Sequence, residues 1–143
     1  MRIAIASDHG GFTLKEHIRS RFSAHEIHDL GCFSEDSVDY PDFAKLLCEE
    51  ILAGKADRGI LVCGTGIGIS IAANRYKGIR AALCCDKNMA EMARKHNDAN
   101  VLALGGRILA NQDAEEIVRI FFDTDFEAGR HIRRIRKIDF LKD

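Results

Sequence analysis

Two spacings of apolar residues take turns along this chain. Short runs in which every residue or every second residue is apolar read as strands. Between them lie stretches whose apolar residues fall three and four apart, the period of a helix. Arg2 to Ser7 carries Ile3 and Ile5 in a strand pattern, and Asp8-His9-Gly10-Gly11 forms a turn before a helix bearing Leu14, Ile18 and Phe22. A weaker strand covers Glu26 to Leu30, and Gly31 to Tyr40 is a polar loop. Pro41, at a first-turn position, opens a helix with Phe43, Leu47 and Ile51 on one face and Gly54 as its stop. Ile60-Leu61-Val62 is a continuous apolar run, as in a parallel strand buried on both faces, and it runs straight into Cys63-Gly64-Thr65-Gly66-Ile67-Gly68. Ile67, Ile69, Ile71, Ala72 and Ala73 with Asn74 then read as a short helix. Ile79 to Cys85 is a fourth strand, Lys87 to Lys95 a helix, Val101 to Leu104 a fifth strand and Gln112 to Phe122 a further helix. From Glu127 onward the pattern is again helical.

Five strands alternating with helices predict an α/β fold, an open parallel sheet with helices on both faces, because parallel neighbours need helical crossovers. The 143 residues read as one domain, 1–143, and a domain of that size buries roughly 68 to 70% of its unfolded surface. In such sheets ligands bind beyond the carboxyl ends of the strands, near the point where strand order reverses. The turns after strands one, three and four, with His96 and Asn97 before strand five, are therefore expected to meet in one crevice.

Composition changes the picture in three ways. Hydrophobic residues at 46% and charged residues at 30% describe a soluble globular protein, and a net charge of −1 gives no bulk attraction to nucleic acid. No apolar run approaches the ~20 residues of a membrane span, so no membrane partner is expected. The five cysteines, 32, 48, 63, 84 and 85, are odd in number and contain no CxxC pair. Neither a disulfide framework nor a zinc knuckle is indicated, and free thiols suggest the cytoplasm.

The glycine turn is the strongest chemical signal. Backbone N–H groups at the start of the helix after it lack intrahelical acceptors and favour negative charge. Cys63 there reads either as a small buried core residue or as a thiol activated by that setting. A dinucleotide site is a rival, with Asp86 as the acidic residue after the next strand, but Ile69 stands where the GxGxxG pattern requires its third glycine. Asp8 and His9 read either as loop chemistry, with Asp8 capping a helix, or as functional groups on the same rim as Cys63. His96 reads either as a cation at a helix C-terminus or as a member of the site. Arg130 and Arg134 share one helix face at i, i+4, so two guanidinium groups can converge on a phosphate. Arg133, Arg136 and Lys137 read as a solvated basic face.

Taken together, SDHGG at Ser7 to Gly11, DYPDFA at Asp39 to Ala44, GILVCGTGIGISIAAN at Gly59 to Asn74, HND at His96 to Asp98, LGGR at Leu104 to Arg107 and GRH at Gly129 to His131 resemble ribose-5-phosphate isomerase type B over essentially the whole chain. The resemblance implies a Rossmann-like three-layer sandwich with a five-stranded parallel sheet and a C-terminal helix. It also implies no metal, no cofactor, and a homodimer or homotetramer with active sites shared between subunits. The reaction implied is interconversion of ribose 5-phosphate and ribulose 5-phosphate through an enediolate. Cys63 maps to the base. Thr65 and the turn of Gly64, Gly66, Ile67 and Gly68 map to the anion hole, with Asn97 assisting. Asp8 and His96 map to the ring-opening proton transfers, and Tyr40 lies near the sugar. His9, Arg130 and Arg134 map to the phosphate clamp, with His131 in the same GRH motif and Arg107 added from a neighbouring subunit. One branch of the family places a glutamate base just after the third glycine; here that position is Ile69, so the chain goes with the cysteine branch. A relative acting on a six-carbon sugar phosphate is the nearest alternative, and a nucleotide-binding module a more distant one.

Overall fold

The computed structural model describes residues 1–140. Its strands are β1 (Arg2–Ser7), β2 (Glu26–Asp29), β3 (Arg58–Cys63), β4 (Ala81–Leu83) and β5 (Val101–Gly105). Its helices are α1 (Phe12–Arg21), α2 (Tyr40–Leu52), α3 (Ile67–Ala73), α4 (Lys87–Asn97), α5 (Asn111–Asp123) and α6 (Arg130–Asp139), with a short 3-10 turn at His9–Gly11 before α1. All strand pairs are parallel, in the order β2-β1-β3-β5-β4. The predicted five-stranded parallel sheet is therefore present. The chain steps outward from β1 to β2 and then crosses back to β3, so strand order reverses between β1 and β3, where the SDHGG and CGTGIG turns leave the sheet side by side.

Period-two alternation divides the sheet residues between two apolar layers. Ile3, Ile5, Ile60, Val62, Leu102 and Leu104 face α1, α4 and α5, which contribute Leu14, Ile18, Ala93, Ile117, Val118 and Phe121. Ala4, Ala6, Leu61, Cys63, Val101 and Ala103 face α2 and α3, which contribute Ala44, Leu47, Cys48, Ile69 and Ala73. The second layer is thinner because half of these strand residues are alanines. Gly59 extends that economy: a Cβ there would lie 2.5 Å from Cδ2 of Leu47 and 2.8 Å from Cδ1 of Ile51, so glycine lets α2 close onto β3. Each fully buried Ile or Leu in these layers contributes about 1.5–3 kcal/mol.

Element ends depart from the sequence pattern where polar contacts take over. The fourth strand covers only Ala81–Leu83, not Ile79 to Cys85, because Ile79 closes a turn by donating its amide to the carbonyl of Tyr76 at 3.0 Å. Asn100 Oδ1 then takes the Arg80 amide at 2.8 Å. The last helix begins at Arg130, not Glu127, because Ala128 and Gly129 both adopt positive φ, 59° and 58°.

Candidate functional site: two rims of one sheet

At the carboxyl rim, period two puts Cys63 on the α2/α3 face, 4% exposed, where the chain turns sharply into α3. Gly66 makes the turn: its φ is +81°, and a Cβ there would lie 2.6 Å from Cδ1 of Leu83 and 2.8 Å from the carbonyl carbon of Leu104. The turn folds the Gly66 amide back onto Cys63, donating to Sγ at 3.1 Å. The other buried cysteines are oriented the opposite way. Cys32, Cys48 and Cys84 donate S–H to the carbonyls of Ser34, Ala73 and Ala82 at 3.3, 3.8 and 3.7 Å. Burial pushes the Cys48 and Cys84 thiols up to about 12, which keeps them protonated and inert. Among these four, Cys63 alone is shown receiving an N–H at its sulfur.

The surrounding groups close a small polar cup. Thr65 is exposed and its Oγ1 accepts the Ile67 amide at 3.2 Å, so that donor is shared; the Gly68 amide has no acceptor among the described residues. The Tyr40 ring, from the first turn of α2, lies over Gly68, where a Cβ would come within 2.9 Å of the phenolic oxygen. Asp8 is buried and its Oδ1 accepts the Gly11 amide at 3.1 Å, the capping role, while its own amide donates to the carbonyl of Val62 at 3.2 Å. Gly11 packs so tightly on the Val62 carbonyl that no side chain fits, which locks the two turns together. His9 is half-buried and its Nδ1 accepts the Val38 amide at 3.2 Å. That contact assigns the neutral ring's proton to Nε2, leaving an N–H donor. The Arg107 guanidinium lies across the two turns: Cβ atoms at Gly64 and Gly10 would fall 3.3 Å from its Nη1 and 3.4 Å from its Cζ.

His96 and Asn97 are elsewhere. α4 leaves the carboxyl end of β4 and runs back along the sheet for 11 residues, about 16 Å at 1.5 Å per residue. It ends at the amino rim. There Arg80, just before β4, donates from Nε to the carbonyl of Asn97 at 2.8 Å, and Gly59, near the start of β3, donates its amide to the carbonyl of Asn100 at 2.9 Å. α6 docks on the same end, the Glu127 amide donating to the carbonyl of Lys95 at 3.1 Å. His131, 4% exposed, stacks on His96 with centroids 4.4 Å apart and planes within 14°. Burial, then the adjacent positive charge of Arg130 and His96, holds the His131 imidazole below the ordinary histidine range. Arg130 and Arg134 are exposed beside it.

Residues 3–138 match the family described as Ribose/Galactose Isomerase. A solved ribose 5-phosphate isomerase of Thermotoga maritima is 55% identical, with TM-score 0.97 and 98% of each chain covered. The chain belongs to the ribose/galactose isomerase family. Ribose-5-phosphate isomerase B of Escherichia coli is 42% identical over 99% of this chain and 96% of its own. The putative sugar phosphate isomerase YwlF of Bacillus subtilis is 48% identical over 96% of this chain and 95% of its own.

Within this isomerase chain the expected residues fall into two groups. Asp8, His9, Tyr40, Cys63, Gly64, Thr65, Gly66, Ile67, Gly68 and Arg107 gather at the carboxyl rim. His96, Asn97 and the α6 residues Arg130, His131 and Arg134 gather at the amino rim. The expectation of one crevice within one protomer is thus corrected, because α4 carries His96 the length of the sheet before β5 begins. Arg107, expected from a neighbouring subunit, lies against its own protomer's turns. Sequence reasoning passed over Glu127, whose Oε2 is 3.5 Å from His131 Nε2; the i, i+4 spacing of the two was the available signal. It also passed over the backbone of Val38, which nothing in the side-chain pattern marks.

Proposed function

We propose that the chain interconverts ribose 5-phosphate and ribulose 5-phosphate as a metal-free aldose–ketose isomerase, and that its working unit is a homodimer in which the amino rim of one copy completes the carboxyl rim of the other. The Cys63 thiolate takes the proton from C2 of the open-chain aldose, electrons move into the carbonyl, and an enediolate forms. The same thiol returns a proton at C1, while the O2 proton moves to O1, giving the ketose. Thr65 Oγ1, the Gly68 amide and Asn97 of the second copy face the oxygen that becomes negative. Asp8 and His96 of the second copy exchange the protons that open the furanose ring, and Tyr40 lines the sugar. His9 Nε2–H and Arg107 on one side, and Arg130 and Arg134 of the second copy on the other, hold the phosphate, which positions the reacting carbons.

The observation that carries this reading is the Gly66 N–H aimed at Cys63 Sγ, at the strand-order reversal, beside an amide left for the substrate. The split of the site between two rims supports the shared arrangement. Five free cysteines, one of them exposed, suit a reducing cytoplasm, and residues 1–143 read as one isomerase domain. The test is ribose 5-phosphate in deuterated water with wild type and Cys63→Ala. Wild type should incorporate deuterium into product and the variant should isomerise 10²–10⁴-fold more slowly. A variant as fast as wild type rejects Cys63 as base. A wild type that turns over six-carbon phosphates in preference moves the assignment to that substrate class.

A further inference from the structure

The stacked histidines of the amino rim offer more than a ring-opening group. Ligand atoms of His96, His131 and Glu127 all lie within 4.8 Å of one another. His131 is 4% exposed, and its Nε2 is buried with no hydrogen-bond partner among the described residues. The Glu127 carboxylate lies 3.5 Å away, too long for a good hydrogen bond. Such an orphaned nitrogen costs free energy unless something fills its lone-pair or N–H direction. Ligand atoms around a tetrahedral zinc-type ion are about 3.3 Å apart, given metal–nitrogen and metal–oxygen bonds near 2.0–2.2 Å. The His131–Glu127 separation is already near that value. Glu127 is 45% exposed in its side chain and free to rotate, and half-buried His96 must tilt out of the stack for both imidazole nitrogens to face one ion.

We propose that His96, His131 and Glu127 bind one divalent ion of the zinc class, and that this ion inhibits the isomerase by taking His96 out of the reaction. Two imidazole nitrogens and one carboxylate oxygen suit zinc, cobalt, nickel or copper, and not the hard ions magnesium and calcium. Arg130 and Arg134 stand close by and oppose a cation, while the Glu127 carboxylate offsets them; the site is therefore one of moderate affinity, occupied when free metal rises. The inhibitory half of the proposal rests on the role given to His96 above, and the binding half does not.

The experiment keeps the two apart. Cobalt is added to the full chain and followed by its visible d–d absorption, with zinc as competitor, and isomerisation is measured alongside with and without a chelator. One cobalt per chain should bind, zinc should displace it, and zinc should slow turnover at least tenfold until the chelator restores it. Glu127→Gln should keep the metal-free rate and weaken cobalt binding and zinc inhibition by the same factor, tenfold or more. Cobalt spectra unchanged by Glu127→Gln and by His131→Asn, or sulfur charge-transfer bands that mark the cysteines as ligands, overturn the site. Binding lost in Glu127→Gln with no inhibition of wild type overturns the inhibitory role. A metal-free protein that isomerises no sugar phosphate counts against the proposed function and leaves the binding result to stand or fall on the spectra.

Discussion

The carboxyl rim and the amino rim of this sheet are built by different means. At the carboxyl rim the candidate groups hang on backbone: glycine turns pack against carbonyls, the Gly66 amide points at Cys63 and Gly11 touches Val62. The longer side chains there, Tyr40 and Arg107, lie over those turns. At the amino rim the groups hang on side chains, stacked imidazoles and arginines on two helix ends. Backbone donors are fixed when the chain folds and need no reorganisation as charge develops, which suits the bond-breaking step. Long side chains adapt, which suits capture of a ring and a phosphate. On the proposed function, the difference teaches that the chemistry is divided by rigidity as well as by place.

The comparison breaks most directly by mixing. Cys63→Ala and His96→Asn should each be nearly inactive alone, for opposite rims. Unfolded together and refolded in equal amounts, they should recover about a quarter of wild-type activity, since half the pairs are mixed and each mixed pair holds one intact site of two. A mixture no better than the two variants alone would mean that each copy carries a whole site. A smaller effect sharpens the claim about rigidity. Gly66→Ala, with φ +81° and backbone within 3 Å of the new carbon, should lose about 2–4 kcal/mol of stability in chemical denaturation. An equivalent change at Gly129, whose Cβ meets nothing within 4 Å, should cost less despite its positive φ. The smallest effect concerns pH. The His131 pKa is lowered in the folded chain from the ordinary 6.5, by burial first, so the unfolded chain takes up the proton more readily. Stability is therefore full above that value, falls as pH drops through it and levels off below the depressed folded value. His131→Gln should flatten the profile of thermal midpoint against pH in that window; an unchanged slope would sink the assignment.

Much of this was legible in the chain and some was not, for reasons that can be named. Ile60 to Val62 announced a buried central strand because both of its faces are apolar, and the glycines that follow announced a turn because no other residue fits where Gly66 lies. The alternation of strand and helix gave the sheet. What did not follow was placement along the strand axis. Lys87 to Lys95 reads as a helix from its pattern, but its direction relative to the turns depends on three-dimensional connectivity, so the sequence pattern groups His96 with the carboxyl-rim turns while the structure carries it to the amino rim. Cys63 also stood undecided by type, since cysteine is commonly inert in cores. The direction of one hydrogen bond separates it from Cys32, Cys48 and Cys84, and no sequence pattern records that direction.

The length of α4 has a last consequence. In the proposed homodimer, a helix that spans the sheet makes each copy the missing half of another, so dilution itself becomes an off switch. Below the concentration at which copies pair, total turnover should fall with the square of protein concentration and turnover per molecule in direct proportion to it, so a cell holding little of this protein would possess less than a proportionate share of catalyst.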